Sequence, residues 1–212
     1  MTNTLPSPFG TGIQQLPAFT PVFAVGIVTF VESVSLVLGI TEAGASVALS
    51  QTVDTTRTLL VLQGVDARNT ALRAKEPETF SVTARITGGG TLVDFERFNP
   101  TSQNPAGTFT PTAINCFASV MEFSSGTVST QSAGITLVDS VTSGTATITA
   151  VDTAKTILIS NGVKVHGFIG ETGQEYRRWQ YNVALTNSTT VTATRGLDGV
   201  RLSIQVMALE FS

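Results

Sequence analysis

The sequence predicts an all-β protein, read as two tandem β-sandwich or jelly-roll-like domains related by internal duplication and preceded by an extended N-terminal arm. Three observations carry this prediction. Short segments rich in Val, Ile, Thr and Phe alternate with Gly, Asn, Asp and Pro clusters, the spacing of strands and turns. No segment of useful length holds a helical period. A stretch of sequence also returns at a constant offset, the signature of a repeated module.

The repeat is carried by Val53-Asp54-Thr55-Thr56-Arg57-Thr58-Leu59-Leu60-Val61-Leu62-Gln63-Gly64-Val65, which returns as Val151-Asp152-Thr153-Ala154-Lys155-Thr156-Ile157-Leu158-Ile159-Ser160-Asn161-Gly162-Val163, an offset of 98 (151 − 53). The same offset lays Thr91 to Arg97 over Thr189 to Arg195. Ala118 to Phe123 matches Val206 to Phe211 at an offset of 88 (211 − 123), so the first copy carries about ten extra residues. They fall in Asn99 to Thr112, where Pro100, Pro105 and Pro111 mark a loop. The second copy crosses that place with Gly196-Leu197-Asp198-Gly199, which reads as a tight hairpin connection. Phe23 to Phe30 resembles the closing strands of both copies, as though the chain begins with a copy of the strand that ends each repeat. The boundaries drawn from this pattern are 1–21 for the arm, 22–123 for the first domain and 124–212 for the second.

Strands are expected at Val34 to Leu38, Ser46 to Leu49, Arg57 to Leu62, Thr79 to Ile86, Thr91 to Phe98 and Ile114 to Glu122, with counterparts in the second copy. Val191, Ala193 and Arg195 alternate with Thr190, Thr192 and Thr194, so threonines line one face and the other turns inward. Gly88-Gly89-Gly90 lacks the lysine and helix of a phosphate loop and reads as a turn. The weak helix candidate, Ala67 to Lys75, is cut short by Pro77 and reads as a loop with one helical turn. Val22 to Ile40 is the most apolar window, but Glu32, Ser33, Ser35 and two glycines interrupt it, so two adjacent strands are expected there rather than a membrane span.

Charged residues are 13% of the chain against roughly 25% in ordinary domains. Thr, Ser, Asn and Gly take their place. A net charge of −3 with 12 scattered basic residues offers no footprint for nucleic acid or an anionic membrane. The single cysteine, Cys116, excludes an intrachain disulfide and a cysteine-rich metal site, and its apolar neighbours point to a buried thiol. The start of the chain does not read as a secretory signal, which implies cytoplasmic synthesis. No cofactor or metal is expected.

Candidate chemistry is sparse. Asp54 and Asp152 recur without a second carboxylate, histidine or metal partner, so they read as turn formers rather than catalysts. Arg97 and Arg195 recur at strand ends, and the repetition suggests that each pairs with the aspartate of its own domain. His166 is the only histidine and stands in what reads as a loop, which removes His-based triads and two-histidine metal sites. The one distinct stretch, Glu171 to Tyr181, gathers Tyr176, Arg177, Arg178 and Trp179, residue types enriched at interface hot spots. It is either a contact surface or a strand whose Trp179 and Tyr181 point into the second core. The proline-punctuated start, with Leu5, Pro6, Phe9 and Phe19, is either an arm that packs on a neighbouring subunit or a frayed terminus.

The Val-Asp-Thr-x-[Arg/Lys]-Thr segment, the threonine-rich strand ending in Arg and the closing Glu-Phe strand resemble small β repeats in structural proteins of tailed bacteriophages. The resemblance covers most of residues 22–212. It implies a non-enzymatic virion component, such as a head decoration, neck or tail protein, that stabilises the particle. Its expected partners are further copies of itself, trimers being common in such proteins, and a shell or tail protein. An adhesin or tail-fibre module that presents Tyr176 to Tyr181 and the Asn99 to Thr112 loop to a host glycan or receptor is the alternative. An enzyme is the third and weakest class.

Overall fold

Period-two burial organises the chain into strands. Val93, Phe95 and Arg97 are buried while their neighbours are less so, and Val191, Ala193 and Arg195 repeat the pattern with threonines outward. The computed structural model describes residues 27–39, 42–67, 81–97, 113–166 and 176–212. Within them run β1 (Val28–Leu38), β2 (Gly44–Ala48), β3 (Thr58–Ala67), β4 (Val82–Thr87), β5 (Leu92–Arg97) and β6 (Ile114–Phe123). The second half follows with β7 (Val128–Leu137), β8 (Ser143–Thr147), β9 (Thr156–His166), a one-turn helix α1 (Tyr176–Trp179), β10 (Tyr181–Asn187), β11 (Thr190–Arg195) and β12 (Arg201–Phe211). The protein is all-β with sandwich character. The arm 1–21, the Ala67 to Lys75 helix candidate beyond its first residue, and the loop Asn99 to Thr112 lie outside the described residues.

Every strand pairing is antiparallel. The sheets have the orders β1-β6-β3, β10-β11-β8 and β2-β5-β4-β9-β12-β7. In the first half, β1-β6-β3 faces β2-β5-β4. In the second, β7-β12-β9 faces β8-β11-β10, the same order with each strand six places later. Connecting bonds recur as well. The Leu49 and Ile148 amides donate to the Thr91 and Thr189 carbonyls at 2.9 Å, and the Phe123 and Phe211 amides donate to the Arg57 and Lys155 carbonyls at 3.1 and 3.0 Å.

One core lies among Leu38, Leu60, Ala84, Phe95, Cys116 and Val120, the other among Ile135, Leu137, Val165, Val191, Leu202 and Ile204. They are not separate. Met207 of β12 belongs to the first core, and a small cluster of Phe123, Val128 and Leu209, packed with Val28, Leu59 and Met121, bridges the two. The middle of the six-stranded sheet is where the halves meet, β4 pairing with β9 through Thr83 opposite Gly162.

Three sequence expectations need correcting. Val22 to Ile40 is not two strands over its described part: β1 runs through Glu32 and Ser33 without a break, because Ser33 falls on the exposed face while Glu32, on the opposite and partly buried face, accepts bonds from the Ser50 amide and hydroxyl at 3.0 Å. Its described start, Ile27 to Phe30, does not take the place of a closing strand. Val28 opposes Phe123 as Val128 opposes Phe211, so β1 holds the place of β7. The Gly196 to Gly199 segment is no hairpin either, since β11 and β12 belong to different sheets and the segment arches between the two layers. Gly88-Gly89-Gly90 does form the β4–β5 turn, all three with positive φ. A Cβ on Gly90 would meet the Val53 carbonyl oxygen at 2.0 Å, which is why glycine stands there.

Candidate functional site

The repeated Asp turn is a closed hydrogen-bonded unit. Thr56 donates to Asp54 Oδ1 from its amide at 3.0 Å and its hydroxyl at 2.7 Å, and the Thr58 hydroxyl donates to the Asp54 carbonyl at 2.6 Å. Those bonds from Thr56, with Arg57 nearby, hold the Asp54 carboxyl below its ordinary range. The second half repeats the design: the Ala154 amide donates to Asp152 Oδ1 at 2.9 Å and the Thr156 hydroxyl to the Asp152 carbonyl at 2.7 Å. Each turn is tied to the closing strand of its half by a glutamate. The Asp54 and Asp152 amides donate to Glu122 Oε1 and Glu210 Oε1 at 3.2 and 2.6 Å. Arg57 Nη2 also donates to Glu122 at 2.7 Å. These glutamates were visible in sequence only as part of the recurrent Glu-Phe ending, and their role needed the strand pairing.

The recurrent arginines do not pair with the recurrent aspartates. Buried Arg97 donates to the carbonyls of Glu42, at 2.8 Å, and Gly39, in the β1–β2 connection. Buried Arg195 donates to the carbonyls of Val141 at 2.6 Å, Val138 at 2.7 Å, and Val200. Burial lowers both guanidinium pKa values. The guanidinium's five N–H donors in a planar fork satisfy several carbonyls at a sandwich corner at once, so these arginines lock the arch between layers.

Trp179 and Tyr181 pack against the second core, and the Tyr181 hydroxyl lies 2.5 Å from that of Ser160. Trp179 does so from α1 rather than from a strand. The Arg178 carbonyl accepts a bond from Arg195 at 3.3 Å. Of Tyr176 and Arg177, only the backbone falls in the described residues. His166 is not in a loop: it ends β9, with Nε2 2.8 Å from the Ser203 hydroxyl, and burial draws its pKa down to about 4. Cys116 is buried, and burial pushes its thiol up to about 11.

Between the two turns lies an open groove of about 410 Å³ lined by Arg57, Lys155, Glu210 and the C-terminal Ser212 among others. Its charges are mixed. Contacts in this region also join the halves to each other. The Thr130 amide of β7 donates to the Thr56 carbonyl at 2.7 Å, and its hydroxyl donates to the Thr55 carbonyl at 2.8 Å. Farther along the joint, Lys164 meets Glu96 at 3.0 Å and the Val165 amide donates to the Ser81 hydroxyl at 3.0 Å. Among the described residues no group of three or more His, Cys, Asp and Glu is placed to hold a metal, and no helix is long and apolar enough to cross a membrane. Comparison with protein-family models, curated proteins and solved structures gave no match.

Proposed function

We propose that this chain is a non-enzymatic building block of a larger particle, binding copies of itself and a shell or tail protein, as a capsid decoration or similar virion component would. The observation that carries this reading is the joint between the halves. Two sandwiches fuse by sheet continuation and a buried apolar seam, while among the described residues Val31, Val37 and Phe117 of β1-β6-β3 and Ile157 and Phe211 of the second half stay exposed at the ends. The recurrent charged groups are spent on turns and corners, which leaves low-charge β surfaces to make contacts. The two halves are read as copies of one module, supported by their shared strand order and connecting bonds.

An adhesin would need an exposed aromatic platform, and Trp179 and Tyr181 face the second core instead, so the geometry favours assembly over glycan capture. Mass spectrometry of purified particles from the source, followed by immunogold electron microscopy, tests the proposal. The expected result is the chain at regular positions on the particle, with occupancy lost when residues 1–21 are removed. Absence from particles would overturn the virion reading, and unchanged occupancy would remove the arm from it.

A further inference from the structure

We infer that copies of this protein join head to tail, the C-terminal half of one docking on the outer face of β1-β6-β3 of the next by repeating the joint that already links the two halves. This deepens the proposed self-binding by naming its surfaces, and it rests on that reading.

Sheet β2-β5-β4 of the first half continues into β9-β12-β7 of the second. The sheets left over, β8-β11-β10 and β1-β6-β3, correspond strand for strand to those two halves. Pairing β10 of one copy with β3 of another would give the order β8-β11-β10-β3-β6-β1, another six-stranded sheet of the same design.

Side chains at the ends match those at the joint. By register, Val31 opposite Met121 corresponds to Thr130 opposite Leu209. Thr130, covered by the Asp54 turn, is 6% exposed, whereas Val31 is 55% exposed. Phe123 at the joint is 8% exposed and its counterpart Phe211 is 43% exposed. Leu59 is packed in the bridging cluster, while its counterpart Ile157 is 48% exposed. Asn161 is buried and Gln63, at the same place in β3, is exposed. Gly162 is pressed so closely that a Cβ would meet the Val82 carbonyl oxygen at 1.9 Å, yet a Cβ on the corresponding Gly64 would meet nothing within 4 Å. Gly162 has φ +97°, a conformation that only glycine holds without strain and that Gly64 leaves open to β3.

Val31, Phe211 and Ile157 therefore stand exposed where the internal joint covers Thr130 and Phe123 and packs Leu59. Among the described residues, the ion pair across the joint, Lys164 with Glu96, is replaced by Asp66 and Thr194 at the ends. Association should thus be driven by apolar burial and resist added salt. The two surfaces differ from each other, so the contact is heterologous and closes a ring or extends a filament.

Sedimentation velocity on the full chain across a concentration series, with blocked variants, tests this. Gly64→Ala and, independently, Val31→Asp block the head surface, and Ile157→Asp blocks the tail, all at open or exposed positions. Circular dichroism melts confirm that each variant folds. The wild type is expected to grow with concentration and to persist in high salt. Each blocked variant alone should remain a single copy, and an equimolar mixture of head-blocked and tail-blocked chains should give a two-copy species and nothing larger. A mixture that stays single-copy, or blocked variants that assemble like the wild type, would overturn the inference. A wild type that never self-associates yet occupies particles overturns the joint alone, whereas one that does neither removes the assembly reading too.

Discussion

At the scale of single residues, the buried polar groups explain why this low-charge chain keeps the few charges it has. Arg195 holds carbonyls from the β7–β8 connection and from Val200, so replacing it strands buried acceptors. Arg195→Met is expected to destabilise the protein by about 3 kcal/mol, read from urea denaturation. His166 sets a pH dependence whose sign follows from its lowered pKa. It is neutral when folded but takes up a proton below about 6.5 when unfolded, so its contribution is complete above that value and is lost as pH falls toward about 4. Between pH 7.5 and 5 that loss is on the order of 1 kcal/mol after allowance for solvent screening. A His166→Gln variant should show a correspondingly flatter melting profile over that interval.

At the scale of elements, the turns and bulges decide which surfaces can meet. The bulge in β9 puts Gly162 under β4, and both its positive φ and the nearby Val82 carbonyl exclude a side chain. Gly162→Ala should cost at least about 2 kcal/mol, through left-handed strain and the displaced strand. Gly64→Ala, at the same place in β3, should stay within about 0.5 kcal/mol of the wild type in the single copy. Parallel thermal melts compare the two, and equal losses would contradict the difference between the crowded Gly162 and the open Gly64. The Asp turns are more alike: both use a side-chain cap on the following amides and a glutamate from the closing strand, although Arg57 has an ion-pair partner in Glu122.

At the scale of the molecule, the six-stranded sheet and the Phe123–Val128–Leu209 cluster couple the two sandwiches. Leu209→Ala removes the centre of that cluster and should cost about 2–5 kcal/mol. Because the cluster serves both halves, calorimetry should show one transition moving down as a whole. Two transitions, with only one displaced, would mean that the seam does not join the cores.

The all-β class, the inward alternation of Val191, Ala193 and Arg195, the triglycine turn and the turn-forming role of Asp54 and Asp152 were legible in the sequence, because each is written in local spacing or in one residue's backbone preferences. The places of Glu122, Thr130 and Gly162 were not, and neither was the release of Arg97 and Arg195 from the aspartates. Each depends on which strand lies beside which, over separations that no local period encodes. The sequence by itself determined most of the strands, the triglycine and aspartate turns and the recurrence of their residues. Only the tertiary structure decided that β4 and β9 share one sheet and that one half covers Thr130 while Val31 stays open, because sheet continuation is set by edge-to-edge fit between distant segments.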